Sequence, residues 1–184
     1  MMLEINTELI RKAQAGDETV IAALYERYHV SVFRYLYYRV GDLQTAEDLT
    51  SEVFLRMLRF LGGFKPPSAA FGAWLFGIAR NLTIDYFRRT GIRNDVELEE
   101  DMLATRDDPA AAVERGLNSE VLRRALKKLN VEQRDVIVMR FVSGMPIGEV
   151  AQVLGKSEDA VKGLQRRALI ALRQTLAEWE VTHV

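Results

Sequence analysis

The chain has 184 residues, 48% hydrophobic and 28% charged, which excludes a mainly disordered or fibrous polymer and allows one large or two small globular domains. It holds no cysteine, so disulfide frameworks, thiolate metal sites and cysteine nucleophiles are excluded. The net charge of -1 hides an uneven distribution: 12 basic against 10 acidic side chains over residues 1–93, 2 against 8 over 94–118, and 11 against 8 over 119–184.

Apolar residues recur every three or four positions through most of the chain, there are only 4 prolines, and no segment sustains strand-like alternation, so an all-α fold is expected. Thr7 is placed to cap a short helix that stops at Gly16, and Asp17 to cap a long one from Glu18 to about Arg39, closed by Gly41. Asp42 caps a third helix to about Phe60. The run from Leu61 to Pro67 holds two glycines and two prolines and must be a loop. A fourth helix, from about Ala69 to Arg89, carries Phe71, Leu75, Ile78, Leu82 and Tyr86 on one stripe. These four helices form a first domain over residues 1–93. Residues 94–108, rich in like charge, read as an acidic flexible linker, or more plainly as a polar surface loop.

A second domain is expected over residues 109–184. Asp108-Pro109 starts a helix to Leu129, and Asn130 with Gln133 forms a capping box for a helix ending near Gly144. Pro146 starts a short helix to Leu154, Gly155-Lys156 makes a tight turn, and Ser157 caps a final helix with Glu158 and Asp159 in its first turn. Short helix, glycine turn and capped long helix make a helix-turn-helix pattern. Helical spacing turns Val161, Leu164 and Ala168 inward and Asp159, Lys162, Gly163 and Arg166 outward, a face suited to a major groove; a helical hairpin with a solvated basic face is the plainer reading. Leu169 and Ile170 also point away from the inner stripe, toward a protein partner. In the fourth helix, Trp74, Tyr86 and Phe87 interleave with Arg80, Arg88 and Arg89, a composition that fits stacking on unpaired bases but equally fits core packing.

The longest apolar stretch, Phe71 to Ala79, is nine residues, far short of the ~20 that cross a bilayer, and the amino terminus has no basic region followed by an apolar one. A cytoplasmic protein without membrane insertion is expected. No phosphate-binding glycine loop or Ser-His-Asp arrangement occurs, and the single Glu26-x-x-His29 motif lacks the second motif and further glutamates of a helical-bundle metal site, so neither enzymatic activity, a metal nor a cofactor is expected.

Three strings then coincide in order: AEDLTSEVFLRML over 46–58, FGAWLFGIARNLTIDYFRR over 71–89, and LKKLNVEQRDVIVMRFVSGMPIGEVAQVLGKSEDAVKGLQRRALIALR over 126–173. Together they resemble a bacterial RNA polymerase sigma factor of the extracytoplasmic-function group. The resemblance implies a four-helix region 2 and a helix-turn-helix region 4 joined by the linker, and a function of binding core RNA polymerase, directing it to promoters and promoting melting. It implies that Asp48, Glu52 and Arg56 dock on the clamp of the largest polymerase subunit. It assigns Phe64, Lys65, Trp74, Arg80, Asn81, Arg88 and Arg89 to the minus-ten element, and Ser157, Lys162, Gln165, Arg166 and Arg167 to the minus-thirty-five element. The flap of the second-largest subunit and promoter DNA are implied partners, with room for an anti-sigma factor. Ala160, Gly163 and Leu164 stand where many members have threonine, serine and arginine, and Asn130 where a proline is common, so the preferred promoter does not carry over. The competing reading is a helix-turn-helix regulator that binds DNA without being a polymerase subunit.

Overall fold

The computed structural model describes residues 5–65, 70–92 and 121–182, with side chains up to residue 177. Every helix or strand among them is a helix. The acidic linker over 94–108 and the helix start at Asp108-Pro109 lie outside the described residues.

Helix α1 is Thr7–Gln14. Its cap is Asn6 rather than Thr7: the extended Asn6 backbone lets Oδ1 accept the Leu9 N–H at 2.9 Å, and Thr7 becomes the first helical residue. Gln14 then donates through Nε2 to the carbonyls of Leu61 and Phe64 at 2.9 and 2.7 Å, anchoring the start of the distant loop. Helix α2, Glu18–Val40, opens on Asp17, which accepts from Thr19 and Val20, and closes on Gly41 at φ 81°, a left-handed position that a side chain would strain. Asp42 caps α3, Leu43–Phe60, by accepting the Thr45 N–H at 2.7 Å, and a 3₁₀ turn over Leu61–Gly63 leads out of it.

Helix α4, Phe71–Thr90, is buried on two sides. Of the expected stripe, Phe71, Leu75 and Leu82 are buried and Ile78 and Tyr86 half-buried. A second buried row, Gly72, Phe76, Ala79, Thr83 and Phe87, runs beside it. The first half is therefore a bundle of α2, α3 and α4, with Leu24, Val32, Leu36, Val53, Met57 and Leu75 in its core.

In the second half residues 121–127 are helical (α5). Helix α6, Val131–Ile137, opens on a full capping box between Asn130 and Gln133. The α-helix expected to reach Gly144 instead widens into a π-turn over Val138–Val142, closed by Ser143 N–H to the Val138 carbonyl and by Gly144 at φ 71°. Pro146 is the cap of α7, Ile147–Leu154, rather than its first residue. Gly155, at φ 62°, and the Lys156 N–H bonded back to the Ala151 carbonyl turn the chain into α8, Glu158–Thr182. Val150, Ala151, Val161, Leu164 and Ala168 are buried between α7 and α8, as their spacing requires.

The buried Arg134 holds the entry to α6. Its guanidinium donates to the carbonyls of Leu126, Lys127 and Leu129 at 3.0, 3.1 and 3.2 Å, satisfying the acceptors that the end of α5 leaves open. Methionine of similar length would strand those carbonyls. Arg134→Met is expected to lower the unfolding free energy by about 2–4 kcal/mol in urea titrations with little change in slope; a loss below about 0.5 kcal/mol would show that the three bonds contribute nothing net.

Candidate nucleic-acid interface

Three exposed surfaces and one buried seam carry the polar residues picked out by sequence. On α8, Lys162, Arg166 and Arg167 are exposed, and the Arg167 guanidinium lies 3.5 Å from where a Cβ on the half-buried Gly163 would sit. Lys162 is 3.3 Å from Asp159 across one turn, an exposed pair of small energetic weight. Two of the predicted contacts have structural employment: the Ser157 hydroxyl caps α8 by accepting the Ala160 N–H at 3.2 Å, and the half-buried Gln165 accepts from Arg140 Nε at 3.3 Å. Arg140 also donates to the Met145 carbonyl, and Lys156 pairs with Glu132 at 2.9 Å, so α6 fixes the angle at which α8 is presented. Leu169 and Ile170 are exposed at 42% and 53%.

On α4, Trp74, Gly77, Asn81, Ile84 and Arg88 share one side by helical spacing. Asn81, Ile84, Arg88 and Arg89 are exposed, Trp74 is half-buried, and nothing lies within 4 Å of where a Gly77 Cβ would sit. Ile84 escaped the sequence reading, although its spacing from Asn81 and Arg88 could have found it. The Phe64 ring is buried against Phe71 and Trp74, at centroid distances of 5.7 and 4.9 Å, and the neighbouring Lys65 is exposed. Arg80 is likewise turned away from the exposed strip, toward the second half.

On α3, Asp48 is exposed and accepts from Gln44 at 3.1 Å, and Glu52 pairs with Arg56 at 2.7 Å. Beside this row stand Leu55, Leu58 and Phe60, exposed apolar residues that the sequence reading passed over. Leu58 also lines a groove between α2 and α3 with Ile21, Tyr25, Phe54 and Met57. His29 stacks flat on Tyr25, and its Nδ1 lies 3.2 Å from the Tyr25 carbonyl.

The seam joins the two halves. Asp135 of α6, fully buried, reaches into the first half, where Oδ1 accepts from Tyr35 OH at 3.1 Å and lies 2.8 Å from Arg39 Nε, and Oδ2 accepts from Arg80 Nε at 3.2 Å. The Arg39 Nε contact is a charge contact without hydrogen-bond alignment, and Arg39 Nη1 has no hydrogen-bond partner. Burial opposes the Arg39 charge, but Asp135 outweighs it and holds the guanidinium above its ordinary pKa; burial and then the same carboxylate push the Tyr35 phenol far up, so it remains a donor. Around this centre Arg123 donates to Tyr37 OH at 2.6 Å, Ser143 Oγ to the Ser31 carbonyl at 3.2 Å, and the Ala70 N–H to Gln152 Oε1 at 3.3 Å. Glu149 of α7 faces Gly72 and Tyr28 across a small polar cleft that Arg27 also lines.

Two helical halves, one ending in a helix-turn-helix with a basic outward face and the other presenting an aromatic and basic helix, have the make-up of a nucleic-acid-binding protein. Residues 24–92 match Sigma-70 region 2 and residues 125–174 match Sigma-70, region 4. The ECF RNA polymerase sigma factor BldN of Streptomyces coelicolor is 42% identical over 93% of this chain and 66% of its own length, just under two thirds of that relative. The ECF RNA polymerase sigma factor SigX of Bacillus subtilis is 35% identical over 85% of this chain and 84% of its own length. The structure of CnrH in complex with the cytosolic domain of CnrY superposes with a TM-score of 0.72 at 27% identity, covering 92% of this chain and 96% of that one. The chain belongs to the sigma-70 family of RNA polymerase sigma factors, in its ECF group.

Burial against the first half raises the Glu149 carboxyl above its ordinary value, with Arg27 pulling the other way. Packing the halves therefore takes up a proton at Glu149, and packing gains stability as pH falls from neutral through that raised value. Glu149→Gln is expected to melt higher than the parent at pH 7, with the difference shrinking toward pH 5; a difference that is constant with pH would remove Glu149 from the seam's proton linkage.

Proposed function

We propose that this chain is a promoter-specificity subunit that binds core RNA polymerase through region 2, reads an upstream promoter element with α8 and captures the melted strand with α4. The observation that supports this reading best is the joint presence of both Sigma-70 regions with an exposed reading surface on each: Lys162, Arg166 and Arg167 on α8, and Asn81, Ile84, Arg88 and Arg89 on α4. A freestanding helix-turn-helix regulator needs only the second set.

Each residue then has a physical task. Arg166, outermost on α8, is suited to a bidentate contact with a guanine edge, while Lys162 and Arg167 flank it toward the phosphates. Asn81 offers an amide to the edge of an unstacked base, Trp74 and Ile84 give that base apolar surface, and Lys65, Arg88 and Arg89 neutralise the strand. On α3, Asp48, Glu52 and Arg56 beside Leu55, Leu58 and Phe60 form a mixed apolar and charged face for the clamp of the largest polymerase subunit, with Leu169 and Ile170 on α8 for the flap of the second-largest. CnrH was solved with a bound protein domain, and the same α3 face would serve an anti-sigma factor in this chain. The work is binding without covalent chemistry, carried out in the cytoplasm; among the described residues no helix is long and apolar enough to cross a membrane.

The test is holoenzyme binding to a promoter library randomised over the upstream element at two salt concentrations. Arg166→Ala is expected to flatten base preference at one or two positions, a loss of about 1–3 kcal/mol of discrimination. Arg167→Ala should weaken all sequences alike and make the salt dependence shallower by about one counterion. Retention of the parent's base preferences by Arg166→Ala, with affinity alone reduced, would contradict the assignment of that residue to base reading.

A further inference from the structure

The π-turn that follows α6 places Arg140 where it meets both helices of the helix-turn-helix. With one more residue in the turn than an α-helix has, the Ser143 N–H reaches back to the Val138 carbonyl and the Met145 N–H to the Met139 carbonyl, each at 2.9 Å. The Arg140 guanidinium then makes two bonds: Nη1 donates to the Met145 carbonyl and Nε to the Gln165 side-chain oxygen at 3.3 Å. Met145 is buried with both of its backbone polar groups held, and Pro146, the cap of α7, follows it directly. One planar fork thereby links the entry of α7 to the third turn of α8.

The helices α7 and α8 also meet through the buried Val150, Ala151, Val161, Leu164 and Ala168. Such apolar contacts are non-directional and hold two helices together more firmly than they fix the rotation of either. Rotation matters for reading. A roll of α8 by about 20° carries a side-chain tip about 6 Å from the axis through about 2 Å, more than a hydrogen bond to a base edge tolerates. Gln165 precedes the outward Arg166 by one residue, which turns it about 100° away from that side chain, onto the flank that Arg140 occupies. Its carboxamide oxygen already accepts from Arg140, whereas a glutamine that reads adenine uses its oxygen and nitrogen together on the base.

We propose that Arg140 and Gln165 are positioning residues for promoter reading: the pair sets the rotation of α8 and so the aim of Arg166, and Gln165 makes no base contact of its own. This rests on the reading of α8 given above, and it departs from the place among the minus-thirty-five contacts that the family resemblance implies for Gln165. Lys156, paired with Glu132 at 2.9 Å, ties the turn before α8 to α6. Loss of the Arg140 to Gln165 bond therefore leaves α8 attached while loosening its rotation. The exposed Lys162, Arg166 and Arg167 keep their side chains in either case, so attraction to DNA persists and discrimination between bases is what falls.

The pair is tested by binding of holoenzyme to a promoter library randomised over the upstream element, with thermal melting of each variant alongside. Gln165→Met keeps the length of the side chain and removes the acceptor; it is expected to lower discrimination at the positions that Arg166 reads by about threefold to tenfold, the worth of one net hydrogen bond. Arg140→Met should do the same, and the double variant should lose no more than the larger single effect, because each change removes the same bond. Gln165→Glu restores an acceptor and should return discrimination to the parent's level with the same ranking of bases. Parent-like discrimination in Gln165→Met would overturn the positioning role, and a new preference for cytosine in Gln165→Glu would show that this side chain reads a base directly. If Arg140→Met melts early for want of a donor to the Met145 carbonyl, the two Gln165 variants decide alone. A parent that selects no sequence, with or without core enzyme, would overturn α8 as a reader and the positioning role with it. A parent that selects equally well without core would count against the sigma-factor reading, and the same variants would then decide the pair on the chain alone.

Discussion

A carboxylate removed from water must be answered by positive charge or hydrogen-bond donors, and the packing of this molecule is arranged around one such group. Asp135 projects from α6 into the first half, where α2 and α4 meet it with Arg39, Arg80 and Tyr35. Arg39 is buried there and Arg80 half-buried, and the second half supplies the carboxylate that both of them face. This arrangement explains why α4 is apolar on two sides: one row, with Leu75 and Leu82, completes the region 2 bundle, and the other, with Phe76, Ala79 and Phe87, lies beside the seam where the second half packs.

The functional surfaces are left over from this packing. The α8 face with Lys162, Arg166 and Arg167 lies opposite the buried Val161, Leu164 and Ala168, so the inward stripe that holds the helix-turn-helix together also aims the basic face outward. Asn81, Ile84 and Arg88 of α4 lie on the side that neither buried row uses. The buried side chains of the two halves form one continuous apolar core, and both exposed faces lie on its outside.

What the sequence revealed follows the range of the interaction involved. Asp17, Gly41, Asp42, Asn130, Gly155 and Ser157 act on backbone within a few residues, so the limits of most helices could be read directly. Asn6 and Thr7 are adjacent residues able to cap the same helix, and only backbone geometry separates them. The Val138–Val142 π-turn has an ordinary helical composition and left no local sign. The burial of Phe64 has no local signal, because its partners, Phe71 and Trp74, belong to the next helix. Arg39, Arg80, Arg123 and Asp135 were indistinguishable from surface charges, since their partners are separated from them by 55 to 100 residues. The double apolar row on α4 was the available clue that a second body packs there. The family strings, by contrast, were long enough to point to the ECF sigma factors before any geometry was known.

A polymerase subunit with two promoter-reading faces should protect both promoter elements only together with core enzyme. Footprinting on a promoter fragment with purified chain, purified core enzyme and the two combined addresses it directly. The account predicts sequence-specific protection of both elements, roughly 25 base pairs apart, only when chain and core are combined. An equally specific footprint from the chain alone, unchanged on adding core, would contradict it and identify a freestanding DNA-binding regulator.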